Sequence, residues 1–339
     1  MENILLLENS GLRGNFYNAL KKEGFQVTDF FGATFPSFEK SQFHRIGNVF
    51  YRAALGRKDY MEIQKRKFLE KQYNQSAQDL FAQGKKFDYA LIFRGDRFPN
   101  EMLSILRKMC RKIICYEYDG LKVCGNIFNT KSFFDRTFVF DPADYFAHQE
   151  IFLPLTNCWF ETPDLKPKQS VENDIFYIGV GVPERLRIIE KVKDYCIHNS
   201  IILNATLTIA PHFVEKKGEG IFLSHKTIDY QKNVEGVQKS KAILDFKLSY
   251  HNGLSFRFFE GMKYRKKIIT NNASVKHYDF YHPDNVFITD FQNLDGLKEF
   301  LEKPYHEIDE KIFEKYGFKN WIHYALDILP YQKIDLPKI

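Results

Sequence analysis

The stretch Tyr250–Asn272, "YHNGLSFRFFEGMKYRKKIITNN", sets an Arg and a Glu three residues apart just behind a glycine and a serine. Leu254, Phe258 and Met262 recur at i, i+4 and i+8, the spacing of one buried helix face, so a helix is expected from about Leu254 to Tyr264. "KAILDF" (Lys241–Phe246) before it and "KKIITN" (Lys266–Asn271) after it are short apolar runs, expected as strands. Gly253 and Ser255 then stand at a helix N-terminus, where unpaired N–H groups and the helix dipole attract an anion. A cation at Arg257 opposes that dipole unless an anion lies beside it. Glu260, on the same side, can accept hydrogen bonds from a pair of neighbouring hydroxyls. A phosphate joined to a polyol fits these residue types, and His251 and Asn252 adjoin the same turn.

Other strand ends carry chemistry too. "DIFYIGVGV" reads as a strand ending in Gly179 and Gly181, followed by a helix opened by Pro183 that carries Arg185 and Arg187. Strands in the first half end in Arg94 and Asp96, in Glu117 and Asp119, and in Asp141 and Asp144. In open α/β sheets that carboxyl edge is where ligands bind. Asp119, Glu117 and Asp96 are therefore the candidates for taking a proton. Asp141-Pro142 reads only as a turn. His251, His277 and His282 are too loosely spaced to argue for a metal, and no DxD occurs.

Strands and helices alternate in two blocks, and that alternation must position these groups. "NILLLE", "NFYNALKKEG" and "FQVTDF" give a strand–helix–strand opening with glycines at the turn, although "GLRG" is no dinucleotide fingerprint. Two long helical patterns follow, at about Ser37–Leu55 and Tyr60–Gln83, and then the strands that carry the acidic ends. The basic stretch Arg57–Lys71 reads as a solvated face or a contact with anionic lipid. "ETPDLKPKQSVEND" (Glu161–Asp174), rich in Pro and charge, reads as an interdomain linker. A second block starts afresh behind it, and "YGFKNWIHYALDILP" ends the chain as an amphipathic helix.

At 339 residues the chain suits two domains. Its 34 Phe and 19 Tyr imply aromatic-rich cores. Apolar runs stay below the roughly 18–20 residues of a membrane span, and "MENILLLENSG" reads as a strand and not as a signal peptide. A net charge of +6 suits anionic small ligands, an anionic lipid surface or nucleic acid. Against the last, Lys and Arg are spread along the chain with no recognisable nucleic-acid module. Five cysteines without a CxxC point away from zinc and from a disulfide framework, and towards a reducing cytoplasm.

The segment "GLSFRFFEGMKYRKKIITNN" resembles the donor-binding segment of GT-B fold glycosyltransferases, above all those of bacterial lipopolysaccharide and capsular polysaccharide synthesis. "SVKHYDFYHPDNVFITD", "YEYDGLK", "FFDRTFVFDPAD" and "DIFYIG" resemble further segments of that family in the same order, so the likeness covers most of the chain. It implies an α/β protein of two Rossmann-like domains facing across a cleft. The acceptor-side domain would span 1–162, the nucleotide-sugar domain 163–317, and a C-terminal helix, 318–339, would return to the first domain. It implies transfer of a sugar from a nucleotide-sugar to a hydroxyl of a glycan or lipid-linked glycan. No metal or other cofactor would be needed, and the protein would sit in the cytoplasm or peripherally on the inner face of the membrane. The resemblance gives Gly253, Leu254, Ser255 and Arg257 to the phosphate-facing turn, Gly179 and Gly181 to a second turn near the diphosphate, and Glu260 to the ribose or sugar. Either Arg185 or Arg187 could reach the charge that the resemblance places at that second turn. Asn252 stands where retaining members often carry a second Glu, which leaves inversion and retention both open. A nucleotide-sugar epimerase on the same scaffold and a basic nucleic-acid binder are the alternatives.

Overall fold

The computed structural model describes residues 1–32, 36, 38–39, 41–56, 58–161, 170–210, 213–218, 220–226 and 228–339. Most of the expected linker therefore lies outside the described residues. The chain forms two compact units, residues 1–117 with 124–137 and residues 118–123 with 138–339.

The first unit opens with β1 (Asn3–Leu7), α1 (Arg13–Lys22), β2 (Gln26–Asp29), α2 (Gln42–Leu55) and α3 (Tyr60–Ala82). It continues through β3 (Phe87–Phe93), α4 (Asn100–Met109), β4 (Cys110–Glu117), α5 (Ile127–Thr130) and the start of β5 (Arg136–Val139). Ile4 to Leu7, Ala90 to Ile92 and Ile113 to Cys115 are fully buried. Continuous apolar runs of this kind are what a parallel sheet covered on both faces requires. β1 pairs in parallel with both β2 and β3, so the strand order reverses there. The helix expected from Ser37 begins at Gln42, where Ser41 Oγ accepts the His44 N–H at 3.2 Å.

The second unit holds the end of β5, α6 (Pro142–Ala147) and β6 (Leu153–Pro154), which pairs with β5 through Phe138↔Leu153. β7 (Asn173–Val180), α7 (Pro183–His198), β8 (Leu203–Thr208), β9 (Lys216–Gly218), β10 (Ile221–Ser224) and α8 (Tyr230–Gln238) come next. β11 (Ser240–Asp245), α9 (Phe256–Tyr264), β12 (Lys267–Thr270), β13 (Val286–Ile288), α10 (Leu297–Glu302), α11 (Glu310–Lys315) and α12 (Phe318–Leu326) complete it. The sheet order is β13-β12-β11-β7-β8-β10-β9, and only the β9–β10 pair is antiparallel among the registers described. From β7 the chain winds first through β8 and later through β11 on the other side, so the topological switch point lies between β7 and β11. Both halves thus have the expected α/β, Rossmann-like character. α12 packs on residues ahead of the expected linker: Trp321 Nε1 donates to Thr156 O at 2.8 Å, and the Tyr324 ring lies 5.7 Å from that of Phe138.

Candidate functional site

The second unit's switch point gathers much of the predicted donor set. α9 begins one residue later than Ser255, which is its N-cap, and Leu254 is buried in the turn ahead of it. Ser255 Oγ accepts the Arg257 N–H at 3.3 Å and donates to Asp245 Oδ1 at 2.6 Å. Asp245, at the end of β11, is itself buried and accepts Thr270 Oγ1 at 2.9 Å. Arg257 Nη1 lies 3.7 Å from Asp245 Oδ1. The anion expected beside Arg257 is thus supplied in part by the protein, and the α9 N-terminus is capped from within.

The rest of the guanidinium reaches β7. Arg257 Nη2 donates to Ile178 O at 2.6 Å, and its carbon sits 4.9 Å from the centre of the Tyr177 ring, a cation–π contact. A Cβ at Gly179 would overlap Tyr177 Oη and come within 3.2 Å of Arg257 Nη2. One at Gly181 would lie 2.8 Å from Ile209 Cγ2. Both glycines are there for close approach. Immediately after them comes α7, 16 residues long, with Pro183 at its start and no side-chain cap at Val182. Arg185 stands in its first turn; Nη1 reaches Val180 O at 3.4 Å, while buried Nε has no hydrogen-bond partner among the described residues. Arg187 is exposed on the same helix.

The turn Tyr250–Ser255 is fixed by residues that local sequence pattern did not single out. Asp141, read only as a turn former, caps α6 through Ala143 N and also accepts the Asn252 N–H at 2.7 Å. Asn272 Nδ2 and Ser274 Oγ donate to Asn252 O at 3.1 and 2.9 Å, and Asn157 Nδ2 donates to Leu254 O at 2.8 Å. Asn252 Oδ1 accepts Lys247 Nζ at 2.7 Å. Gly253 leaves no room for a Cβ against the Phe140 ring. A strand-end position at the switch point was the one available signal for Asp245; Asp141, Asn157, Asn272 and Ser274 act across 20 to 111 residues of chain.

The His251 ring lies tilted against that of Phe140, centres 5.0 Å apart, and its buried Nδ1 has no hydrogen-bond partner among the described residues. Burial lowers its pKa, against the pull of Asp141, Asp119 and Asp245, so the ring is neutral near pH 7. Asp119 belongs with this turn, since a Cβ on neighbouring Gly120 would lie 2.5 Å from Tyr250 O and 3.0 Å from His251 Cβ. Glu260 faces α8: its Oε1 accepts Asn233 Nδ2 at 3.0 Å, it is 5% exposed, and burial raises its pKa while Arg257 opposes the rise.

Two of the three candidate carboxylates share one ion-pair cluster. Asp119 falls in the second unit, whereas Asp96 and Glu117 lie in the first. Arg94, held at φ +58, donates to both Asp96 oxygens at 2.7 and 3.0 Å, and its Nε lies 3.4 Å from Glu117 Oε2. Glu117 is fully buried, accepts the Asp96 N–H at 3.3 Å and takes a hydrogen bond from Cys115 Sγ at 3.3 Å. Burial, with Asp96 beside it, raises its pKa to about 7. Asp96, Glu117 and Cys124 offer ligand atoms within 4.8 Å of one another, but the Arg94 guanidinium already supplies the positive charge there. Glu8, after β1, is a strand-end carboxylate that the sequence reading passed over; it accepts the Ser10 N–H at 2.6 Å and burial raises its pKa.

Among the described residues no helix is long and apolar enough to cross a membrane. No family model matches the chain, and no curated protein matches it. Solved structures do. An α,α-trehalose-phosphate synthase (UDP-forming) from Burkholderia xenovorans is similar at a TM-score of 0.59 and 12% identity, over 97% of this chain and 100% of that one. A sucrose-phosphate synthase from Thermosynechococcus elongatus is similar at 0.51 and 11%, over 89% of each chain. A UDP-GlcNAc 2-epimerase from Methanocaldococcus jannaschii reaches 0.49 and 10%, over 90% of this chain and 94% of its own. At these identities the likeness is one of fold: the two Rossmann-like halves expected from the sequence are those of GT-B glycosyltransferase structures.

Proposed function

We propose that the protein is a glycosyltransferase that moves a sugar from a nucleotide-sugar to a hydroxyl of a bacterial surface-glycan precursor, of the lipopolysaccharide or capsule type. One observation carries this reading. At the switch point, the Gly179–Gly181 turn leads into the uncapped N-terminus of α7, with Arg185 and Arg257 beside it. Free N–H groups, a helix dipole and two guanidiniums suit a diphosphate. The similarity to two sugar-phosphate synthases, one described as UDP-forming, agrees with it.

In the reaction the acceptor oxygen bonds to the anomeric carbon, the bond from that carbon to the donor phosphate breaks, and the acceptor proton leaves to a base. Negative charge grows on the departing diphosphate, where Arg185, Arg257 and the α7 N-terminus stabilise it without a metal. Asp119, half-buried beside the neutral His251, is the carboxylate we assign to the proton. Glu117 and Asp96 are held by Arg94 and serve the fold. Glu260, held by Asn233, is the carboxylate we assign to the donor hydroxyls.

A thermal-shift screen with UDP-, GDP-, CMP- and ADP-linked sugars tests this. At 100 times its dissociation constant the cognate nucleotide adds about 2.7 kcal/mol. Arg257→Ala, Arg185→Ala and Glu260→Ala should each shrink that shift. No stabilisation by any of the four, or variants that respond as the wild type does, refutes the site. Turnover of the nucleotide-sugar without acceptor, yielding an epimer, would replace transfer by epimerisation.

A further inference from the structure

α2 presents an apolar face that the described residues leave exposed. Phe43, Ile46, Val49 and Phe50 are 85%, 67%, 68% and 74% exposed. At 100° per residue they share an arc of about 120°. This is no frayed segment. Ser41 and His44 form a capping box at one end and Gly56, at φ +64, closes the other. The opposite face is the packed one: the Tyr51 ring lies 5.4 Å from that of Tyr60, and a Cβ at Gly47 would overlap the Tyr60 hydroxyl.

Four large apolar side chains in water on one helix, in a chain that otherwise buries its aromatics well, mark a docking surface. Its surroundings decide what docks. Residues 42–71 carry eight basic and three acidic side chains, a net +5 of the chain's +6. Arg52 follows the apolar arc on α2, and Lys58, Lys65, Arg66, Lys67 and Lys71 are exposed on the turn and helix that follow. Apolar groups of this size flanked by a cluster of cations suit an interface where acyl chains lie beneath anionic headgroups. A protein groove would match the apolar arc alone, and nucleic acid would match the cations alone.

We infer that α2, with the basic start of α3, seats the protein on an anionic lipid surface, with Phe43, Ile46, Val49 and Phe50 entering the headgroup boundary. This rests on the α2–α3 geometry and not on the transfer reaction, so loss of the nucleotide response would leave it standing. The test is co-sedimentation of the full chain with vesicles of phosphatidylcholine alone and of phosphatidylcholine mixed with phosphatidylglycerol. Wild type should bind the mixed vesicles about tenfold or more tightly. Phe43→Ser/Ile46→Ser/Phe50→Ser should abolish binding, and Lys65→Glu/Arg66→Glu/Lys67→Glu should remove the preference for the anionic lipid. Circular dichroism and the nucleotide thermal shift, unchanged in both variants, show that the fold survives. No binding to either vesicle, equal binding to both, or a wild-type dimer that the serine variant makes monomeric would each overturn the proposal. The last outcome would make the face a contact between copies.

Discussion

Two arginine–carboxylate clusters stand at the carboxyl edges of the two sheets, and they differ in what they leave unsatisfied. In the first unit Arg94 is saturated by Asp96 and Glu117, and the side chains of all three are at most 8% exposed. In the second, Arg257 is shared among Asp245, Ile178 O and the Tyr177 ring, its side chain 20% exposed, beside two glycines and an uncapped helix. Both look alike as strand-end charges in a sequence. A charge cluster closed on itself stabilises or strains a fold. One with open donors beside small residues can receive a ligand.

The largest effect expected from breaking this contrast is on stability. Arg94→Ala strands two buried carboxylates, and removing one partner of a buried ion pair costs about 3–5 kcal/mol. Urea unfolding should show that loss, while Arg257→Ala, with Asp245 still held by Ser255 and Thr270, should lose less. Equal losses would erase the distinction between the clusters.

A pH dependence sharpens it. The Glu117 carboxyl titrates at about 7 when folded, above its ordinary 4.5, because burial and Asp96 disfavour its charge. The folded state therefore holds a proton that the unfolded state has released, and the stability this gives is present below pH 4.5 and lost as pH rises through 7. Glu117→Gln should remove that fall, which amounts to about 3 kcal/mol between pH 4.5 and pH 8 in the wild type. A Tm profile between pH 5 and 8 as steep as the wild type's would show that another group is responsible.

On the second cluster the readout is ligand affinity. Arg257→Ala should weaken nucleotide binding about a hundredfold, near 2.7 kcal/mol, with calorimetry as the measure. Arg257→Lys should recover little, because the planar fork that spans Asp245 and Ile178 O is lost.

Much of this was legible in the sequence, in an uneven way. Buried strands such as Ile4–Leu7 and Ile268–Ile269 announce themselves by composition, and the α9 stripe of Phe258 and Met262 by spacing. Arg257, Gly179 and Gly181 were legible for the same reason, since a turn and a helix start are local events. β9 and β10, three and four residues long among lysines and glycines, are too short to leave a period. Of the residues that hold the turn in place, Asp141 showed only as a strand end and turn former, and Asn157, Asn272 and Ser274 give no local sign of that role. Their partners lie far along the chain, and only folding brings a carboxylate at 141 to an N–H at 252.

The smallest predicted effect separates the two helix starts of the second unit. At α9, Ser255 and Asp245 already occupy the N-terminus, whereas at α7 Val182 makes no side-chain cap and Arg185 Nε has no partner among the described residues. Among the described residues Arg185 makes a single long hydrogen bond, to Val180 O, so Arg185→Ala should change the Tm little. If the diphosphate lies at α7, the same change should weaken nucleotide binding about tenfold, near 1.4 kcal/mol, with the loss shrinking as added salt screens the pair. Ser255→Ala removes a cap from α9 and should cost about 1 kcal/mol of stability with a smaller change in affinity. The reverse pattern, affinity lost at Ser255 and kept at Arg185, would move the anion from α7 to α9.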